Sequence, residues 1–244
     1  MRPTASDGAA WCGPAPTAAD WWTQWNVHPG QAVLLVLFLG AGVAAARAHR
    51  RDFVLGWAVL VLAFVSPLCA LSVALFSARV AHHLLLVLVA APLLAVAFPA
   101  RHGGFLAVAG AAFVVVMWGW HWPAAYAAAY GSSPTYWAMQ GSLLVTAILF
   151  WRAVMAPQGH ALRALMGLVA ASGAMGLLGA LLTLAPAPIY WPHASTTASF
   201  GLTPIEDQQL GGLLMWVPGM LPFAVAGAIL ARSRFRDLSG KEAA

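Results

Sequence analysis

Seven apolar stretches, each near the length needed to cross a bilayer, constrain this chain more than any other feature. They run Pro29–Arg47, Phe53–Phe76, Val80–Phe98, Gly103–Trp122, Trp137–Val154, Ala161–Leu184 and Leu210–Ala231. At a rise of about 1.5 Å per residue, about 20 helical residues cross about 30 Å of hydrocarbon. The runs are continuous rather than alternating, which favours helices over barrel strands. The expected fold is all-α: a polytopic membrane protein with seven transmembrane helices. Charged residues make up 8% of the chain and hydrophobic ones 61%, which excludes an ordinary soluble domain. Three parts follow: a Trp-rich tail over 1–28, the membrane domain over 29–231 and a basic tail over 232–244. The first 28 residues hold no basic region followed by an apolar core, so no cleaved signal peptide is expected.

Charge orients the spans. Threading them in order puts Arg47, Arg50, Arg51, Arg101, Arg152, Arg163, Arg232, Arg234, Arg236 and Lys241 on one side, against Arg2 and Arg79 on the other. The positive-inside rule then makes the loaded side cytoplasmic, with the N-terminus outside and the C-terminus inside. The net charge of +5 reads as a topological signal and a contact for anionic lipid, not as a nucleic-acid surface. Cys12 falls in the tail and Cys69 in the second span, with no closely spaced pair, so neither a disulfide nor a dithiol relay is expected. Pro92 should free a carbonyl four residues earlier and kink the third span. Ser172, Gly173, Gly176 and Gly179 should let a neighbouring helix approach the sixth closely.

Ionisable groups inside a span are costly and mark candidate sites. His49, His102 and His160 sit in basic turns and read as headgroup-level residues. His82, His83 and His121 fall within or at the end of spans three and four. Arg79 and His83, four apart, share a helix face, while His82 points about 100° away. His121 reads either as part of an aromatic belt with Trp118, Trp120 and Trp122 or as an imidazole ligand. Zinc would want four ligands that the sequence does not obviously supply, whereas Cu(I) accepts His and Met at low coordination number. The segment from Gly201 to Gly219 is the strongest local signal. Thr203 or Asp207 can cap the seventh span, and Glu206 and Asp207 suit the positive end of its dipole. Gln208 and Gln209 are harder to assign to packing. Asp207, Gly211 and Met215 form one stripe, with Met215 either a core filler or a thioether ligand.

Together these stretches resemble the integral-membrane CtaG family of cytochrome c oxidase assembly factors. The resemblance is carried by Ser66-Pro67, His83 with Ala91-Pro92, Trp120-His121-Trp122-Pro123, Phe150-Trp151, Pro188-Ile189-Tyr190, and Glu206-Asp207-Gln208-Gln209 through Met215-Trp216 to Pro218-Gly219. It runs collinearly from the second span to the seventh. It implies seven spans, an external N-terminus and a non-enzymatic role in assembling heme–copper cytochrome c oxidase at the outer face of a bacterial inner membrane, including copper insertion. Oxidase subunits or other assembly factors would be the partners, and nucleic acid would not. The implied metal residues are His83, His121 and Asp207, joined by His82 and Met215, with Arg79, Glu206, Gln208 and Trp216 around them. Where the family has a second His one turn before His83, this chain has Arg79; where it has Gln-His in span five, this chain has Gln140-Gly141. Two other classes compete: a bis-His heme protein carrying electrons, with heme between His83 and His121, and a small-solute or metal transporter. The latter is disfavoured because no charged residue lies near the middle of a span and no inverted repeat is apparent.

Overall fold

The computed structural model describes residues 11–157 and 160–242, with side chains to Ser233. Arg2 and the side chains of Arg234, Arg236 and Lys241 lie outside the described residues. All regular structure among the described residues is helical: α1 Pro29–Ala45, α2 Arg50–Val65, α3 Pro67–Ala74, α4 Phe76–Ala97, α5 Leu106–His121, α6 Pro123–Gly131, α7 Ser133–Val154, α8 Ala161–Thr183, α9 Pro204–Trp216 and α10 Leu221–Glu242, with short 3₁₀ turns between. Four helices are long and apolar enough to cross a membrane, α9 and α10 counting as one, and six are if each bent pair is one span. The 17-residue α1 falls short of that length, so the seven-span expectation is met only as an all-helical, four-to-six-span bundle.

One expected span is broken at a proline, and a second turns at a proline just past its end. The residue before proline is driven out of the helical region, and proline then starts the next helix at its first position. Ser66 and Trp122 are both extended for this reason, bending α2 against α3 by 50° and α5 against α6 by 75°. What reads in sequence as a loop after Trp122 is thus partly a helix. The break at Ser66 leaves carbonyls unpaired. Asn26 donates its backbone N–H to the Val65 carbonyl at 2.9 Å, and Gln31 donates Nε2 to the Phe64 carbonyl at 3.0 Å. The tail is therefore bound to the bundle. Cys12 and Cys69, 57 residues apart, form a disulfide there, which corrects the expectation that these cysteines stay unpaired. Their distance in sequence hid a pairing that only the tail's packing creates.

Pro92 does not break α4. A π-helical turn over Leu85–Ala90 shifts the ladder by one residue, with Ala91 N–H bonding the Leu86 carbonyl. In that register proline frees the Val87 carbonyl, five residues back rather than four, and Trp151 fills the gap by donating Nε1 at 2.8 Å. Backbones of α8 and α9 meet as the small residues suggest: a Cβ on Gly179 would fall 2.7 Å from the Gly212 carbonyl oxygen. The basic turns gather at one end of the bundle, where Arg47, His49 and Arg152 share one cleft and His102, His160 and Arg163 another.

Candidate functional site

α9 starts six residues before the expected span because Thr203 and Glu206 form a capping box around Pro204 at the first helical position. Asp207 is thereby free for another task. Its Oδ2 accepts the Phe76 N–H at 2.7 Å, and its Oδ1 accepts the Ser77 N–H at 3.1 Å and the Ser77 hydroxyl. It caps α4, a helix 130 residues away in sequence, and this explains why α4 begins at Phe76 rather than at Val80. Asp207 is buried as expected, but its hydrogen-bond partners are the first turn of α4 and none of Arg79, His82, His83 and His121.

Arg79 does not pair with Asp207 or Glu206 either. It donates Nε to the Ser72 carbonyl at 2.9 Å, and its guanidinium carbon lies 5.6, 5.7 and 5.8 Å from the ring centres of Tyr126, Tyr130 and Tyr136. Among the described residues the one ion pair is His49–Asp52, so a buried cation is held by carbonyl and π density alone. His193, outside the spans, shares this cluster. Its Nε2 meets Tyr126 Oη at 2.6 Å, and burial, reinforced by Arg79, holds its pKa down at about 3, leaving it neutral. Gln208 is structural: Oε1 accepts the Ile189 N–H at 2.6 Å and Nε2 donates to the Leu182 carbonyl, clamping the loop before α9. Trp216 is 40% exposed on the outside of α9.

His82 is fully buried, its ring 5.1 Å from that of Phe64 and 5.9 Å from that of His83, with neither nitrogen hydrogen-bonded, and it does not line the cavity that His83 and His121 share. The ring centres of His83 and His121 are 6.4 Å apart and their planes at 81°. Both line a cavity of about 20 Å³ together with Met117, Met175 and Met215, space for about one water-sized occupant. The other walls are Val80, Leu84, Val87 and Leu143, so all the polar character of the cavity comes from two imidazoles and three thioethers. His121 Nδ1 lies 2.7 Å from the Met117 carbonyl oxygen, which can only accept. The proton is therefore on Nδ1, and Nε2 is a bare lone pair. His83 Nε2 is buried with no hydrogen-bond partner. Among the described residues no three His, Cys, Asp or Glu side chains cluster as a metal site, so any metal here would depend on sulfur. Met117 and Met175 were missed in the sequence. Met117 had a signal, standing one helical turn before His121, whereas Met175 had none.

A family model described as cytochrome c oxidase caa3 assembly factor, Caa3_CtaG, matches residues 33–103 and 104–237. The chain belongs to this family. No curated protein and no solved structure matches it. As a Caa3_CtaG member it is a cytochrome c oxidase assembly factor with several membrane-crossing helices. Its two departures from the family pattern occupy different surroundings. Arg79 lies in the tyrosine cage, away from the lining of the His–Met cavity. Gly141 is exposed on α7, where a Cβ would meet nothing within 4 Å, so a histidine there would point out of the bundle. Neither Arg79 nor Gly141 lines the cavity of this Caa3_CtaG chain.

Proposed function

We propose that this chain assists oxidase assembly by holding Cu(I) between His83 and His121, with sulfur from Met117, Met175 or Met215, and passing it to the oxidase. The observation that carries this reading is that His83 and His121 line one cavity with three thioethers, His83 Nε2 being buried without a partner and His121 holding its proton on Nδ1. A buried acceptor without a partner costs about 1–3 kcal/mol. A soft ion bound there would offset that cost, and imidazole and thioether are the donors such an ion prefers. The spacing suits it: two imidazoles sharing one ion through bonds of about 2 Å place their ring centres roughly 6 Å apart. Asp207 and His82 drop out of the proposed ligand set, the first because both oxygens serve α4 and the second because it does not line the cavity. Heme is the weaker reading, since cofactor pockets run to roughly 300–1,000 Å³ and this cavity does not approach that size.

The orientation follows from the charge distribution. With the Arg-rich end cytoplasmic and the N-terminus outside, the cavity would lie near the outer face of a bacterial inner membrane. His83 is seven residues, about 10 Å, into α4 from its capped end. The test is His83→Ala in cells. Oxidase activity and oxidase copper should fall, copper held by the purified protein should weaken about tenfold or more, and the abundance of the protein in the membrane should stay unchanged. Added copper should restore part of the activity by mass action. Activity that falls only in step with protein abundance would make His83 a packing residue.

A further inference from the structure

The Arg-rich end holds a second site that oxidase assembly does not explain. Between α5 and α8 runs a trough of about 660 Å³, walled by Ala107, Gly110 and Ala111 on one side and Gly167, Ala170 and Ala174 on the other. Leu106 packs against Gly167 where the helices touch, and small side chains line the walls. The trough opens outward, since Ala107, Ala111 and Ala170 are exposed. At the Arg-rich end it runs into a second cavity of about 240 Å³ lined by His102, His160 and Arg163, and the two share Gly103, Gly104, Leu106 and Arg163. No carboxylate among the described residues lines either one.

An apolar trough between two apolar helices that runs into a cationic pocket at the Arg-rich end has the charge and polarity pattern of one phospholipid. We propose that it binds an anionic diacyl phospholipid. The Arg163 guanidinium would grip the phosphate in a fork, and His102 and His160, each with an N–H in any tautomer, would donate to its remaining oxygens. One acyl chain would lie along the Gly and Ala walls. α8 begins at this pocket, and its N-cap, His160, makes no side-chain cap bond, so the positive end of the helix dipole adds to the same field. A transmembrane helix from a partner would fill the trough but would leave the cationic pocket without a counter-charge.

The experiment reconstitutes the full chain into vesicles of phosphatidylethanolamine with a minority of phosphatidylglycerol, extracts it in mild detergent and counts retained lipids by native mass spectrometry. Phosphatidylglycerol should be retained well above its share in the vesicle. Arg163→Gln should lower that enrichment about fivefold, as expected for the loss of one basic contact to an anionic headgroup. Arg163→Lys should keep most of it, and Ala170→Phe, at an exposed position that does not disturb the core, should abolish it by filling the trough. Retention that mirrors vesicle composition, or an enrichment insensitive to Arg163→Gln, overturns the proposal. So does an oxidase polypeptide whose co-purification Ala170→Phe abolishes while no phosphatidylglycerol is enriched.

Discussion

Asp207 and the His83–His121 pair are all buried, yet their polar atoms are treated in opposite ways. Every oxygen of Asp207 is occupied by the first turn of α4. Across the His–Met cavity, His83 Nε2 is buried with no hydrogen-bond partner among the described residues. A buried polar group that the fold satisfies holds the fold together. One left unsatisfied carries a cost that folding does not explain and is the better place to look for a ligand. Sequence alone ranks Asp207 beside the histidines, because a carboxylate near a span end reads as a ligand and a cap with equal ease.

The largest expected effect breaks the satisfied side of this comparison. Asp207→Ala leaves two buried N–H groups and a hydroxyl without an acceptor and should destabilise the protein by about 3–5 kcal/mol. Thermal unfolding in detergent would register this, and a variant of ordinary stability that had lost copper would return Asp207 to the ligand set. Next comes the tail, whose Asn26 joins Gln31 of α1 in satisfying the carbonyls at the α2–α3 break. Cys12→Ser should cost about 2–4 kcal/mol through loss of the Cys12–Cys69 cross-link. Alkylation of the unfolded variant should then find one thiol, that of the buried Cys69, and a melting temperature equal to that of the parent would show that the cross-link is dispensable.

The unsatisfied side should respond in function rather than stability. Met215→Leu conserves shape, so its stability cost should stay below about 1.5 kcal/mol while copper retention weakens. Unchanged copper retention would make Met215 a core filler and leave Met117 and Met175 as the sulfur donors. The smallest effect is expected from restoring the family residue in span five. Gly141→His places an imidazole on the outer surface of α7, and copper content should not change. An increase would mean that α7 turns toward the cavity in the working state.

Much of the architecture was readable before any coordinates. Continuous apolar runs near 20 residues dictate membrane-crossing helices, because lipid satisfies no backbone group outside a helix or closed barrel. The small residues of α8 announced its close contact with α9, and the Glu206–Gln209 and Met215–Gly219 segments carried the family resemblance now supported by a match over residues 33–237. Local chemistry also held the breaks at Ser66-Pro67 and Trp122-Pro123, although the apolar run across the first concealed it and the second was read as the start of a loop. Tertiary structure alone decided the remainder. Hydropathy and spacing report periodicity within one segment, whereas a hydrogen bond or a cavity depends on which segments meet. Asp207 caps a helix 130 residues away, Cys12 finds Cys69 across 57 residues, and Met175 reaches the histidines only because α8 packs beside them. No one-dimensional pattern encodes these meetings, since each is fixed by the packing of several helices at once.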